Sequence, residues 1–272
     1  SPLADLRAFI QLVKTLRSLS PDVVHTHMAK AGVVGRLAAW FARVPVRVHT
    51  FHGHLLYGYF SPLKTRLIIV VERLLKLITT HAVVVGSAVR TDLISAGIIT
   101  EKNSEMIPPG ISEIKDGIIP DRCGISPGKL IVGFIGRLVP IKRPDRFVEL
   151  AKRLSESRSD VEFLIVGDGP LGELLREQAA SIPSLHLVGW RRDTTSIMKA
   201  LDILVLCSNN EGIPLVLIEA SQLGVPIVAT NVGSVHDVVL ENKNGILVSS
   251  KTEEVVDAVD RLLDDRELQV NL

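Results

Sequence analysis

Two glutamates, Glu211 and Glu219, lie eight positions apart in the stretch LCSNNEGIPLVLIEA, directly after an apolar run. A helix is predicted to begin near Pro214 and to stop at Gly224, with Glu219 in its second turn. Carboxylates accept hydrogen bonds from hydroxyl groups, so the pair suits a polyhydroxylated ligand such as a ribose or a hexose. The alternative interpretation is that Glu211 is merely exposed and Glu219 is ion-paired.

Two cations, Arg137 and Lys142, leave the same predicted loop in the stretch GRLVPIKRPD. Arginine offers a planar fork to phosphate oxygens and lysine a compact charge. A departing nucleotide develops negative charge on its phosphates, and these cations are suited to stabilise it without a metal ion. The alternative is that both are ordinary solvated cations.

Six of the eight histidines fall within residues 25–81. Five of them surround two predicted strand ends, namely His25, His27, His49, His52 and His54. No carboxylate accompanies them, and one strand end rarely supplies a whole coordination sphere. We therefore expect hydrogen bonds to sugar hydroxyls or phosphate rather than a metal site; satisfied polar groups near the surface are the alternative.

The elements that position these residues alternate between strands and helices. In the second half, strands are predicted at 130–135, 161–166, 185–188, 202–206, 226–229 and 245–248, and helices near 143–157, 170–181, 193–201, 214–224, 233–241 and 252–263. In the first half, strands are predicted at 22–26, 45–51, 82–85 and 104–107, and helices at 4–19, 31–42, 62–79 and 88–96. This alternation predicts parallel sheets covered on both faces, with ligands beyond the carboxyl ends of the strands.

The domain organisation follows from composition. Residues 112–128 belong to a stretch rich in Pro and Gly, which predicts a linker between domains at 1–111 and 129–272. Residues 1–116 carry 14 Lys and Arg against 8 Asp and Glu, which favours an anionic partner, although an ordinary solvated surface is equally consistent. The near-neutral total, two separated cysteines and lack of a membrane-spanning run predict a cytoplasmic protein that binds no nucleic acid.

The segment at residues 55–80 mixes large apolar residues with the cations Lys64, Arg66, Arg73 and Lys76. Such a helix can lie on a membrane surface. The alternative is a core helix with one wet face.

The stretches GRLVPIKRPD, LIVGDGP and EGIPLVLIEA, in that order, closely resemble glycosyltransferase family 4, whose members are retaining enzymes of the GT-B fold. The stretches PDVVHTHMAKAGVVGRLAA and HTFHGH are similar to the acceptor domain of its bacterial polysaccharide and lipid-linked sugar branch. The resemblance implies an α/β protein with two Rossmann-like domains facing a cleft. It also implies transfer from a nucleotide-sugar, usually a UDP-sugar, to a saccharide or lipid-linked acceptor, without an obligatory metal or other cofactor.

The resemblance also implies roles for particular residues. Arg137 and Lys142 would bind the donor diphosphate and act in catalysis with Glu211 and His52. Glu219 would hold the ribose. The other expected donor contacts are Gly136, Gly189, Trp190, Arg191, Gly212, Ile213 and Leu215. The acceptor-side residues would be His27, Lys30, His52 and Gly53.

Several positions depart from the family pattern. Gly212-Ile213-Pro214 replaces the usual Gly-aromatic-Gly, and Arg143 stands where Gly commonly follows the lysine. By the family pattern, residue 1 lies past the opening strand, and the family's C-terminal helix that crosses back to the first domain has no counterpart here. We therefore expect an incomplete N-terminal domain and a truncated enzyme. An exposed sheet edge would then favour a homodimer. A nucleotide-binding remnant without turnover and a GT-B sugar-nucleotide epimerase remain alternatives, as does contact of the basic half with the inner face of the membrane.

Overall fold

The computed structural model describes residues 2–53, 56–115, 117–265 and 269, so the predictions for His54, Leu55 and Asp116 lie outside the described residues. The chain forms two compact units, Ser1–Pro109 and Gly110–Leu272. Much of the predicted linker contacts the second unit: the Ile114 amide donates to Gln222 Oε1 at 3.1 Å, and the Asp121 amide to the Ser196 carbonyl at 2.9 Å. The exact domain limits stay a prediction.

The first unit contains a parallel sheet in the order β1-β2-β3-β4. Its elements, in chain order, are α1 (Pro2–Leu19), β1 (Val23–His27), α2 (Ala29–Phe41), β2 (Val46–Phe51), α3 (Pro62–Lys76), β3 (His81–Val84), α4 (Ser87–Ser95) and β4 (Ser104–Met106). The chain advances by one strand at each crossover and never reverses direction across this sheet. The predicted strands and helices of the first half are therefore confirmed within a few residues.

A buried ion pair joins α2 to α3. Arg36 Nη2 donates to both carboxylate oxygens of Glu72 at 2.9 Å, and these residues are 1% and 8% exposed. Gly32 lets α2 approach the sheet, because a Cβ at that position would lie 2.3 Å from the His49 ring. Burial of a charge is costly unless it is paired, so neither residue of this pair can be removed alone without a large loss of stability.

The second unit contains a six-stranded parallel sheet in the order β10-β9-β8-β5-β6-β7. Its elements are β5 (Leu130–Ile135), α5 (Pro144–Ser155), β6 (Val161–Val166), α6 (Gly172–Ala179), β7 (Leu185–Gly189), α7 (Thr194–Met198), β8 (Ile203–Leu206), α8 (Leu215–Gln222), β9 (Ile227–Thr230), β10 (Gly245–Val248) and α9 (Thr252–Asp264). The strand order reverses between β5 and β8. In open α/β sheets, ligands bind at such a reversal.

Apolar residues of this sheet point alternately into two cores. Phe163 packs in the core that includes Phe147 of α5 and Leu262 of α9, whereas Leu164 packs in the core that includes Leu217 of α8. The prediction of a parallel sheet covered on both faces is thus confirmed for this unit. Within the described residues, none of the helices combines the length and apolar character that a bilayer crossing requires.

The predicted helix at 233–241 is wrong. Only a short 3-10 turn, Val235–Asp237, forms there. Gly233 has a left-handed φ of 54°, and a Cβ on it would lie 1.9 Å from the Glu211 carbonyl oxygen. The backbone is therefore held against the loop of Glu211, and the β-branched Val235, Val238 and Val239 disfavour continuation as a helix.

Candidate functional site

Lys142 and Glu211 meet at the point where the strand order reverses. Lys142 ends the 3-10 turn Pro140–Lys142 after β5, and Glu211 follows β8. Lys142 Nζ lies 2.6 Å from Glu211 Oε1, and the two side chains are only 19% and 9% exposed. The Asn209 amide donates to the Ile141 carbonyl at 2.8 Å and so ties the two loops together. The interpretation of Glu211 as merely exposed therefore does not hold.

Glu211 has a second partner that the sequence analysis did not single out. The hydroxyl of Ser208 donates to the same Oε1 atom at 2.5 Å, and Ser208 is fully buried. Thr230, at the end of β9, donates in turn to the Ser208 carbonyl at 2.7 Å. The only sequence signal for Ser208 is its place at a strand end, three residues before Glu211. These contacts fix the carboxylate in one position.

Glu219 lies on α8 and lines a cavity of about 370 Å³. The cavity is also lined by Ile111, Lys115 and Ile118, which precede β5 in the chain. Glu219 has no ion-pair partner within the described part of the chain, and burial raises the pKa of its carboxyl. A half-buried carboxylate with free acceptor capacity is suited to bind vicinal hydroxyl groups.

Arg137 lines a separate cavity of about 220 Å³ together with Gly136 and Trp190. The side chain of Arg137 is exposed, and it forms no ion pair with any described residue. Trp190 is 64% exposed and presents a flat apolar surface beside these groups. The cavity thus combines an exposed cation with a ring on which a planar ligand can stack.

Arg191 lines the same cavity, but its guanidinium is engaged elsewhere. Its Nη2 lies 2.6 Å from both Asp121 and Asp193, and these hydrogen bonds raise the pKa of Arg191. The remaining predicted donor contacts follow Glu211 directly: Gly212 and Ile213 lie in the loop, and Leu215 begins α8. The predicted donor residues thus lie along one rim of the sheet, distributed over two cavities and the Lys142–Glu211 contact.

Arg143 explains one departure from the family pattern. Its φ and ψ are both 50°, the left-handed conformation in which glycine is the usual residue. The guanidinium of Arg143 also forms a forked pair with Asp145 at 2.7 to 3.0 Å. Arg143 therefore occupies a backbone conformation that suits glycine.

In the first unit, His27 and His52 lie at the carboxyl ends of β1 and β2 and contact each other directly. His27 Nδ1 is 2.9 Å from His52 Nε2, and the rings are stacked with centroids 5.2 Å apart. Gly53, at φ 147°, follows in a conformation that favours glycine. Lys30 instead forms an exposed ion pair with Asp5 of α1 at 2.9 Å. Of the predicted acceptor-side residues, His27 and His52 therefore contact each other, whereas Lys30 is paired with Asp5.

Two further histidines surround this pair. His25 Nε2 bonds the Thr50 hydroxyl at 2.7 Å, and partial burial, followed by the neighbouring His27 and His52, lowers its pKa. His49 is 2% exposed, bonds Thr26, and has a pKa lowered to about 3, mainly by burial. His49 is therefore a hydrogen-bonded polar group, as the alternative interpretation expected, but it is buried rather than near the surface. No group of three or more His, Cys, Asp or Glu side chains in the described ranges is placed to hold a metal ion.

Comparison with known proteins assigns the family. Residues 129–265, about half of the chain, match the family profile described as Glycosyl transferases group 1, and residues 1–113 match the profile described as Glycosyltransferase Family 4. The chain belongs to these glycosyltransferases. Its α/β architecture with two parallel sheets is that of the GT-B fold.

Curated relatives of this glycosyltransferase cover nearly its whole length. It is 31% identical to the UDP-Gal:alpha-D-GlcNAc-diphosphoundecaprenol alpha-1,3-galactosyltransferase of Escherichia coli, over 99% of this chain and 73% of that protein. It is 21% identical to the capsular polysaccharide biosynthesis glycosyltransferase CapM of Staphylococcus aureus, over 98% and 73%. Among solved structures, Anabaena HepE in complex with UDP and glucose matches with a TM-score of 0.81 at 22% identity, over 97% of this chain and 73% of HepE.

Proposed function

We propose that this glycosyltransferase moves a sugar from a UDP-sugar to a lipid-linked saccharide with retention of anomeric configuration and without an obligatory metal. The observation that carries the proposal is the Lys142–Glu211 contact at the reversal of strand order, with Arg137 and Glu219 lining cavities on the same rim. The name of the Escherichia coli relative, which acts on a diphosphoundecaprenol-linked sugar, supports the class of donor and acceptor.

The roles follow from the chemistry of each group. Arg137 and Lys142 carry positive charge that stabilises the departing diphosphate. Negative charge develops most on the diphosphate as its bond to the sugar breaks. Glu211 is held by Ser208 and accepts hydrogen bonds from hydroxyls of the transferred sugar. Glu219 accepts from the ribose, and the ring of Trp190 supports the base. In the first unit, His27 and His52 bind the acceptor hydroxyl or its phosphate.

The proposal includes a place of action, the inner face of the cytoplasmic membrane, where a lipid-linked acceptor would be presented. Homodimerisation remains a separate prediction. It is motivated by the edge strand β1, where Val23 is 53% exposed, and light scattering on the purified protein would test it.

Isothermal titration calorimetry with UDP and UDP-sugars tests the donor assignment. Glu219→Ala and Arg137→Ala are each expected to weaken UDP binding by roughly tenfold to a hundredfold, the effect of losing a hydrogen bond to a charged group. Glu177→Ala and Lys152→Ala remove exposed charges outside the rim and serve as matched controls. If UDP fails to bind, or binds both site variants as tightly as the parent protein, the proposal is wrong.

Turnover is tested separately. Nuclear magnetic resonance of the disaccharide product identifies the anomeric configuration, and inversion would contradict the retaining mechanism. Activity that persists in excess EDTA supports metal-independent transfer, whereas activity restored only by added divalent cation contradicts it. An epimerised nucleotide-sugar in place of a disaccharide would favour the alternative GT-B chemistry.

A further inference from the structure

Helix α3 exposes a continuous apolar stripe. Its members are Leu63, Leu67, Val70, Leu74 and, just past the last helical residue, Leu77, with exposures of 79%, 63%, 51%, 62% and 81%. Their spacing alternates between four and three, so all of them lie on one face of the helix. Single exposed leucines are ordinary on protein surfaces, but an unbroken row on one helix face marks an interaction site.

Helix α3 has apolar residues on its buried side as well as on its exposed side. The buried side of α3 includes Leu75 and Glu72, and the carboxylate of Glu72 is bonded to Arg36 inside the unit. By contrast, α5 of the second unit buries its large apolar side chains, among them Phe147 and Leu150. The apolar stripe of α3 is therefore additional to the residues that anchor the helix to its own unit.

The charges beside the stripe have one sign. Lys64 and Arg66 are exposed on either side of it. Arg73 lies on the same side as Arg66, but its Nε donates to the Ala96 carbonyl at 2.7 Å. Glu72, the one acidic residue in the sequence of α3, is buried and neutralised. No carboxylate of α3 therefore opposes an anionic surface, and the cations complement one.

Aromatic side chains extend this surface ahead of the helix. Tyr57, Tyr59 and Phe60 are 58%, 41% and 39% exposed. Lys64 Nζ lies over the Phe60 ring, 3.9 Å from its centroid. Aromatic rings and long cationic side chains are the groups that occupy the boundary between lipid headgroups and acyl chains, because each has an apolar part and a polar end.

We propose that α3 and residues 57–60 dock on an anionic lipid bilayer, with the leucine stripe among the acyl chains and Lys64 and Arg66 among the lipid phosphates. The proposal rests on the proposed function for the lipid-linked acceptor and deepens it by assigning the surface that holds the enzyme where that acceptor resides. A helix with one apolar face and flanking cations lies in the plane of the interface rather than across the membrane.

Sedimentation with vesicles tests this surface directly. The parent protein is expected to sediment with equimolar phosphatidylglycerol and phosphatidylcholine vesicles and only weakly with phosphatidylcholine alone. The double variant Leu67→Ser/Leu74→Ser is expected to weaken binding by about tenfold or more. Lys64→Ser/Arg66→Ser is expected to weaken it by about fivefold for each cation, and added salt should weaken the parent similarly. Leu174→Ser/Leu240→Ser removes two leucines of the second unit that are each 51% exposed, and it should leave vesicle binding unchanged.

A failure of the docking proposal can be distinguished from a failure of the proposed donor site. The same α3 variants should bind UDP as tightly as the parent protein does. Vesicle binding that is absent, or unaffected by both α3 variants, overturns the proposal. So does a stable dimer, detected by light scattering, that the leucine variant converts to a monomer without any vesicle binding by the parent, since α3 would then be covered by a second copy.

Discussion

The two units of this glycosyltransferase share the alternation of strand and helix but distribute charge in opposite ways. The second unit places Lys142 and Glu211 at the rim where the strand order reverses, and its buried Arg146 donates to the Cys207 carbonyl rather than to a carboxylate. Among the described strands of the first unit the order does not reverse, the Arg36–Glu72 pair lies in the interior, and leucines of α3 are exposed to solvent. In the proposals above, the ligand site of the second unit lies in loops that follow strand ends, whereas the docking surface of the first unit lies on the outer face of a helix.

The buried pair gives the largest test of this contrast. Glu72→Ala leaves the Arg36 guanidinium buried without a counter-charge and is expected to lower the free energy of unfolding by about 3–5 kcal/mol. Urea denaturation followed by circular dichroism measures the loss. UDP binding, a property assigned to the second unit, should change much less than the stability of the first.

A double variant provides the control. Arg36→Met/Glu72→Leu replaces both charges with apolar side chains of similar length, and it should recover most of the lost stability. If Glu72→Ala proves neutral, the pair is not the anchor of α3 and the contrast between the units weakens.

The stability of the first unit should depend on acidic pH more than that of the second. His49 is buried with its pKa lowered to about 3 from 6.5, so the unfolded chain takes up a proton that the folded unit excludes. Stability is therefore complete above pH 6.5 and is lost as the pH falls through the window from 6.5 towards 3. Between pH 6.5 and 5.0 the loss is about 2 kcal/mol from this residue.

Hydrogen exchange at several pH values can assign that loss to one unit. Amides of β1 and β2 should become less protected on acidification while those of β8 and β9 do not. His49→Gln should flatten the pH dependence, since glutamine can still bond Thr26 and does not titrate. An equal pH dependence in His49→Gln would show that other groups are responsible.

Ser208→Ala is expected to have a smaller effect, confined to the donor sugar. Removing the hydroxyl that bonds Glu211 frees the carboxylate to move, and affinity for a UDP-sugar should fall by about tenfold, or ~1.4 kcal/mol. Affinity for UDP alone should remain, because the proposed ribose contact is Glu219. Ser221→Ala removes a hydroxyl that donates to the Leu217 carbonyl and accepts from Asn244 Nδ2 without contacting Glu211, and it is the control for calorimetry. Equal weakening of UDP and UDP-sugar would contradict the assignment of Glu211 to the sugar.

The smallest expected effect belongs to Arg143→Gly. Glycine relieves a left-handed backbone by about 1 kcal/mol, but the exposed pair with Asp145 is lost and the unfolded chain gains freedom. These contributions oppose each other, so the melting temperature should hardly move in thermal denaturation. A large destabilisation would mean that Arg143 has a structural role beyond its turn.

The sequence predicted the strands well, because each buried strand of the second unit is a short apolar run bounded by Gly or polar residues. It did not identify Ser208 or the pairing of Lys142 with Glu211, which are separated by 69 positions in the chain and meet only when β5 and β8 become neighbours. The helix expected at 233–241 failed because contact with the Glu211 loop constrains Gly233. For α3, periodicity defined an apolar face but could not show that the face points outward.

The contact between Lys142 and Glu211 has a consequence for selectivity. A ligand that offers only a phosphate to Lys142 must pull that lysine from a carboxylate and leaves the carboxylate uncompensated in a largely buried position. A ligand that offers only hydroxyl groups to Glu211 draws the carboxylate away from Lys142 and leaves the lysine without its counter-charge. In the proposed site, a molecule that carries a diphosphate and a sugar together would satisfy both partners at once. We therefore expect the pair to favour the intact nucleotide-sugar over free phosphate, free sugar and UDP, whose affinity would come mainly from the proposed contacts with Arg137, Glu219 and Trp190.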